Sequence, residues 1–96
     1  MDFESFVKET PVDENFAQIF ILFNSDRYSL SNFIECIEQN SGDIDTIRMI
    51  QFSANEKIAF IRLRTIEINY IVIRMMEAFN AEIKGNGPAM QKRKIT

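Results

Sequence analysis

Few side chains in this sequence are suited to catalysis. It has no histidine, which is the commonest general base and the commonest metal ligand in proteins. Its single cysteine, Cys36, has no second thiol or imidazole with which to form a zinc site or a nucleophile–base pair. Glu35 with Glu38, and Asp43 with Asp45, read as a solvated helix face and a polar loop. We therefore predict no catalytic residue, no metal site and no cofactor, and we do not expect an enzyme.

The composition is typical of a single soluble domain. The 96 residues are 46% hydrophobic and 26% charged, and the formal net charge is −3. An acidic balance argues against a nucleic-acid partner. No apolar run approaches the roughly 18 residues of a membrane span, so we expect no membrane partner. The first 15 residues are acidic and lack the apolar segment of a signal peptide. A lone cysteine fits the cytoplasm, which is the location that we predict.

The spacing of apolar residues along the chain predicts strands and helices in the order β-α-β-β-α, with room for a last strand. These elements must position any functional site. Two stretches have helical spacing, one from Leu30 to Ile37 and one from about Ile66 to Asn80, in which we assign Met75 and Met76 to the core. The predicted strands are Phe16–Phe23, Ile44–Phe52, Lys57–Arg64 and a short edge strand, Ala81–Lys84. This order predicts an α+β fold, a ferredoxin-like βαββαβ sandwich whose antiparallel sheet carries two helices on one face.

The predicted domain occupies residues 16–84. Residues 1–15 are expected to be a flexible leader, because Pro11 argues against a helix through them. Residues 85–96 are expected to be a basic tail, with regular structure ending at Gly85. Gly42 follows the end of the first predicted helix, where we expect a residue in the left-handed conformation.

Strand parity predicts two apolar sheet faces. The small Ala59 suits close approach of a helix, so its set faces the helices and Ile58 and Phe60 face the other way. An apolar far face needs a cover, which could be the leader, a second subunit, or a ligand or nucleic acid. We expect a second subunit, and therefore a homodimer. The residues assigned to this dimer or sheet face are Phe20, Leu22, Ile58 and Phe60.

Two families share this order of elements. The strands 19–24 and 56–63 resemble the two signature strands of the RNA-recognition motif, with Phe20 and Phe60 where that family places its stacking rings. Lys57 stands where that family has glycine, and Glu56 where it has a cation. This resemblance implies single-stranded RNA as a partner.

The ACT domain, a small regulatory module that binds amino acids, provides the other resemblance, over residues 16–84. The segment from Asn24 to Leu30 is similar to its N-x-P-G-x-L turn between strand and helix. Residues 43–47 resemble its N-I-x-x-I strand entry, and Ala81-Glu82-Ile83 stands in the place of G-x-E-V.

The ACT resemblance implies an amino acid or similar small molecule bound at the turn, a homodimer, and an enzyme partner on another chain. Free N–H groups at a helix start suit a carboxylate, which Arg27 could also contact, while Asp26 could meet an ammonium group. Ser29 could instead simply cap the helix. The predicted ligand-binding residues are Asn24, Asp26, Arg27, Tyr28, Ser29 and Leu30. An RNA binder and a ligand-free structural dimer remain the alternatives.

Overall fold

The computed structural model describes residues 2–88, which form a four-stranded antiparallel sheet and three helices. The elements are α1 (Phe3–Glu9), β1 (Ala17–Asn24), α2 (Leu30–Gln39), β2 (Ile44–Gln51), β3 (Glu56–Leu63), α3 (Asn69–Ala78) and β4 (Glu82–Asn86). The strand order is β2-β3-β1-β4. The predicted α+β class with an antiparallel sheet is therefore confirmed. The basic run at 92–94 lies outside the described residues.

β4 continues past the point where we expected regular structure to end. Gly85 is part of this strand and pairs with Ile19 of β1. A Cβ at Gly85 would lie 2.8 Å from Cδ1 of Ile68 and 3.3 Å from Cγ2 of Val72. The glycine therefore makes room for the side chains on the helix side of the sheet, and the prediction that it ends the structure was wrong.

The end of α2 also differs from the prediction. The left-handed residue is Ser41, with φ of 66°, while Gly42 has no positive φ. The amide of Gly42 donates to the carbonyl of Ile37 at 2.8 Å, and a Cβ at Gly42 would collide with the Ile37 side chain. Close packing against α2, rather than a left-handed conformation, explains this glycine.

The main core lies between the sheet and the helices α2 and α3. Ala59, Ile61 and Leu63 of β3 face it, as strand parity predicted, together with Ile19 and Ile21 of β1. The helices contribute four fully or nearly fully buried side chains, which are Phe33, Ile37, Ile71 and Met75.

α1 covers the opposite face of the sheet, which we call the outer face. Its N-cap is Asp2, whose carboxylate accepts a hydrogen bond from the Ser5 amide at 2.7 Å, and the helix ends before Pro11. Phe3, 3% exposed, packs with the four outer-face residues Phe20, Leu22, Ile58 and Phe60. We predicted no helix or strand in residues 1–15, because Pro11 argued against a helix; the seven-residue α1 ends before that proline.

Candidate functional site

The turn between β1 and α2, where we predicted a ligand, is closed by its own first residue. The side-chain oxygen of Asn24 accepts from the Asp26 amide at 2.8 Å. The Asn24 carbonyl accepts from the amides of Arg27 and Tyr28, each at 3.1 Å. The backbone donors at the centre of the turn are therefore already paired within the chain.

The two flanking amides are paired as well. The Ser25 amide donates to the Asn55 carbonyl at 2.9 Å, and the Ser29 amide donates to Oδ1 of Asn32 at 2.8 Å. Ser29 is the N-cap residue of α2, as the capping alternative anticipated. A carboxylate could not use the amides of residues 25–29 without displacing these bonds, so these five amides give little support to carboxylate binding.

Tyr28 connects this turn to the far end of α3. Its hydroxyl accepts a hydrogen bond from the Asn80 amide at 3.0 Å, and its ring meets those of Phe79 and Phe33 at centroid distances of 5.4 and 5.8 Å. Leu30 also packs against the main core. These two predicted ligand contacts are packing residues in the structure, whereas Asp26 and Arg27 are exposed.

A small polar cleft adjoins the turn. It has a volume of about 260 Å³ and lies where β1 ends, β3 begins and α3 connects to β4. Glu56 and Glu82 give it two carboxylates, and Asn24 is the predicted ligand-binding residue that lines it. Its charge suits a small amine better than an anion.

The four residues assigned to the dimer or sheet face do lie together. Phe20 is opposite Phe60 and Leu22 is opposite Ile58 across β1 and β3. The two phenylalanine rings stack, with centroids 5.0 Å apart and an interplanar angle of 7°. They are 0% and 9% exposed, because α1 lies on them with Phe6 edge-on to Phe20. The leader, which was one of the three covers considered, therefore occupies the face that we expected a second subunit to cover.

Beside α1, part of the outer face stays open over β2 and β3. A cleft of about 390 Å³ is lined by Thr46, Ile47, Arg48, Phe60 and Arg62. Nε of Arg62 donates to Oε1 of Gln18 at 3.4 Å, and a second guanidinium nitrogen is 3.9 Å from Asp13. Arg48 was not among the predicted site residues. The irregularity in the pairing of β2 between Ile44 and Thr46 prevents simple alternation from showing which sheet face Arg48 occupies.

α3 exposes a line of apolar side chains, which we call the α3 stripe. Its members, Tyr70, Ile73 and Met76, are 56%, 55% and 57% exposed. Met76 was assigned to the core with Met75, but Met75 is fully buried and Met76 points outward. The spacing of three residues between the members of the stripe was the signal in the sequence that could have identified it.

The charged side chains of Arg74 and Glu77 lie beside the α3 stripe. Nε of Arg74 donates to the Tyr70 hydroxyl at 2.8 Å, and another nitrogen of Arg74 is 3.5 Å from the Glu77 carboxylate. The guanidinium also lies 5.0 Å from the centre of the Tyr70 ring. The positive charge of Arg74 and the negative charge of Glu77, both next to the α3 stripe, therefore neutralise each other.

The described residues offer little else for chemistry. Within residues 2–88 no group of three or more acidic, cysteine or histidine side chains could hold a metal ion. Burial raises the pKa of the Cys36 thiol, against a smaller opposing effect of its hydrogen bond from Asn40. A thiol that stays protonated is a poor nucleophile. No helix in this part of the chain has both the length and the apolar character needed to cross a membrane.

Comparison with known proteins yields no matching family model, no matching curated protein and no matching solved structure.

Proposed function

We propose that this chain is a non-catalytic interaction module that forms a homodimer through one of its helices. The observation that carries this proposal is the α3 stripe, whose three large apolar side chains are each more than half exposed on one helix. Single exposed apolar residues are common on protein surfaces, whereas a contiguous line of them marks a contact surface. Pairing through the outer face would require α1 to leave, so the helix surface is the better candidate.

A second copy suits this surface because its charges are balanced. Arg74 and Glu77 supply one charge of each sign beside the stripe, 3.5 Å apart. A stripe bordered by charges of one sign would repel its own copy, but this one meets an identical surface without net repulsion. Exposed apolar area supplies the favourable free energy of association.

Sedimentation velocity tests the homodimer directly. We expect the weight-average mass to rise from that of one chain towards that of two as the concentration increases from low micromolar to several hundred micromolar. Because the contact is mainly apolar, added salt should not dissociate it. A single-chain mass at every concentration would contradict the proposal.

The finer fold and family assignments belong to the same proposal. We infer a ferredoxin-like arrangement, supported by the sheet order β2-β3-β1-β4 and by the packing of α2 and α3 on one sheet face. The resemblance of residues 16–84 to the ACT domain supports an ACT-like regulatory role, with an enzyme partner on another chain. The single cysteine supports a cytoplasmic location.

A small-molecule ligand would bind in the polar cleft beside the β1–α2 turn. Glu56 and Glu82 there would hold an ammonium group, and the cleft volume of about 260 Å³ admits an amino acid or similar small amine. Thermal shift against the twenty amino acids and simple amines tests this site. A rise in melting temperature that Glu82→Gln removes would support it, whereas no shift with any compound would favour the ligand-free dimer.

A nucleic-acid binder is the second candidate, favoured by the stacked Phe20 and Phe60 rings beside Arg48 and Arg62. Aromatic rings and nearby cations are what single-stranded RNA requires, but α1 must first uncover these rings. We would compare single-stranded RNA binding by the natural chain and by Phe3→Ala, in which we expect α1 to be released. Binding that falls with salt and with Arg48→Ala would support this candidate, and no binding by either protein would exclude it.

A further inference from the structure

We propose that the open cleft over β2 and β3 binds a small organic phosphate, with Arg48 and Arg62 as its cationic contacts. The cleft has a volume of about 390 Å³, which is within the range of small-molecule sites. This site is independent of the proposed homodimer. Unlike the RNA candidate, it does not require α1 to leave the outer face, because the cleft is open while α1 is docked.

Strand pairing brings the polar side chains of the cleft together. Arg48 of β2 is directly opposite Phe60 of β3, and Thr46 is directly opposite Arg62. Because residues two apart on a strand face the same side of the sheet, the two arginines lie diagonally across this pair of strands. Two guanidinium groups and one hydroxyl group therefore line the same cleft as hydrogen-bond donors.

Arg62 is oriented by a buried partner that carries no charge. Its Nε donates to Oε1 of Gln18 at 3.4 Å, and Gln18 is 1% exposed. The Gln18 amide nitrogen donates in turn to the Pro11 carbonyl at 3.0 Å and to the Asn86 side chain at 2.8 Å. This network fixes the position of the guanidinium before any ligand binds, and a neutral amide leaves its positive charge in place.

The two arginines carry more positive charge than their ion pairs offset. Arg62 is 3.9 Å from an oxygen of Asp13, and both side chains are partly exposed, so this ion pair is weak. Arg48 is exposed and forms no ion pair within residues 2–88. A phosphate monoester, which carries up to about two negative charges at neutral pH, matches this surplus.

The rest of the cleft favours a phosphate that carries an organic group. Phe60 and Ile47 give the cleft an apolar wall beside the arginines. The Arg62 guanidinium lies 6.0 Å from the centre of the Phe60 ring and 5.9 Å from that of the Phe16 ring. Guanidinium groups stack on planar groups, so a ring attached to the phosphate would gain contacts that inorganic phosphate lacks.

Titration of the full chain with phenyl phosphate, followed by the amide signals in nuclear magnetic resonance, tests the site. We expect saturable shifts in residues 46–48 and 60–62, while the α1 amides keep their hydrogen-exchange protection. Inorganic phosphate should bind more weakly than phenyl phosphate. No saturable shift at tens of millimolar phenyl phosphate would overturn the proposal, and equal binding of the two compounds would overturn its organic part.

Arg48→Ala tests the main cationic contact. We expect it to weaken phenyl phosphate binding by about tenfold, because a charge-assisted hydrogen bond is lost. Lys84→Ala is the matched control, since it removes the same charge from β4, three strands away from β2, and should change binding by less than about twofold. Circular dichroism checks that both variants fold. Equal weakening by the two substitutions would show that phosphate responds to overall charge and does not occupy this cleft.

Asp13→Asn tests the competing carboxylate. The asparagine oxygen can still accept the hydrogen bond that Asp13 receives from the Asn15 amide at 2.8 Å, but the negative charge beside Arg62 is gone. Phenyl phosphate should therefore bind more tightly to Asp13→Asn than to the natural chain. Unchanged or weaker binding would contradict the assigned role of Arg62.

Two further probes distinguish a free phosphate ester from the backbone of an RNA strand. Adenosine monophosphate has a terminal phosphate, whereas an oligouridylate without terminal phosphates offers only phosphodiesters. Tighter binding of adenosine monophosphate supports the proposal. Tighter, salt-dependent binding of the oligouridylate with loss of α1 protection would overturn it in favour of the RNA candidate. Sedimentation velocity measures dimerisation separately, so failure of the homodimer leaves these outcomes unchanged.

Discussion

Tyr28, which we predicted as a ligand contact, shows how much the role of a side chain depends on neighbours that are distant in the sequence. It stands in a turn that resembles a binding loop, but its hydroxyl and ring are used to join this turn to Asn80 and to the rings of Phe33 and Phe79. These partners lie up to about fifty positions away in the chain. Its role is therefore set by tertiary contacts that no local pattern contains.

Replacing Tyr28 with phenylalanine should lower the free energy of unfolding by about 0.5–1.5 kcal/mol, because the Asn80 amide loses its acceptor while the ring contacts remain. Tyr70→Phe is the matched control, since its exposed hydroxyl meets only the exposed Arg74 and its loss should change stability by less than about 0.5 kcal/mol. Urea denaturation at low protein concentration measures both. Equal effects of the two substitutions would contradict the assigned role of Tyr28.

The Cys36 thiol should make stability depend on alkaline pH. Burial raises its pKa above the ordinary value of 9.0, so the unfolded chain loses this proton first as the pH rises. The resulting contribution is complete below about pH 9 and is lost as the pH rises through the folded-state value. We expect Cys36→Ala to show a slightly smaller alkaline decrease in the urea midpoint than the natural chain. Identical decreases would show that the thiol has an ordinary pKa in the folded protein.

Among the helices and strands, α1 is the element whose own backbone hydrogen bonds stabilise it least. A helix of seven residues is too short to be stable alone in water, so its docking on the outer face maintains it. Hydrogen bonding from the Ser5 amide lowers the pKa of Asp2, so the cap contribution is present above the ordinary pKa of 3.8 and is lost as the pH falls through the lowered value. α1 should therefore be the first element to open.

Phe3→Ala should release α1 without unfolding the sheet. Phe3 is the buried side chain of α1, whereas Phe6 and Val7 pack on the same cluster and are only partly buried, so truncating Phe3 should weaken the docking of this helix. We expect the α1 amides to lose hydrogen-exchange protection and trypsin to cut faster after Lys8, while the β1 and β3 amides stay protected. Glu4→Ala, which removes only the exposed Glu4–Lys8 ion pair, is the control. Unchanged protection of α1 in Phe3→Ala would contradict this account.

For the molecule as a whole, β1 is the strand on which both cores depend. It lies between β3 and β4, and its residues from Ala17 to Phe23 are all buried. Its side chains alternate between the main core and the cluster under α1. Damage to either face of this one strand should therefore destabilise the whole fold.

Two truncations in β1 test this dependence. Ile21→Ala should cost about 2–5 kcal/mol in the main core, and Phe20→Ala about 3–5 kcal/mol on the outer face, each in a single cooperative transition. Ile50→Ala, on the edge strand β2 and only partly buried, should cost clearly less. Chemical denaturation followed by circular dichroism gives all three values. A loss for Phe20→Ala no larger than that for Ile50→Ala would show that the outer face contributes little.

Local periodicity was enough to predict the order of strands and helices from Phe16 to Lys84, and strand parity placed Ala59 and Phe60 on opposite faces correctly. These features depend on backbone geometry, which repeats every two residues in a strand and every 3.6 in a helix. The sequence alone therefore determined the α+β class and the presence of two apolar sheet faces.

Only the tertiary structure decided what covers the second face and which apolar residues remain outside. Phe3 and Phe6 are core residues because they contact strands that are distant in the sequence. Met75 is buried and Met76 is exposed because of the face that α3 turns towards the sheet. A binding surface likewise depends on what the rest of the fold leaves uncovered. Burial is a property of the packed molecule, because it is set by long-range neighbours rather than by the type or spacing of the residue itself.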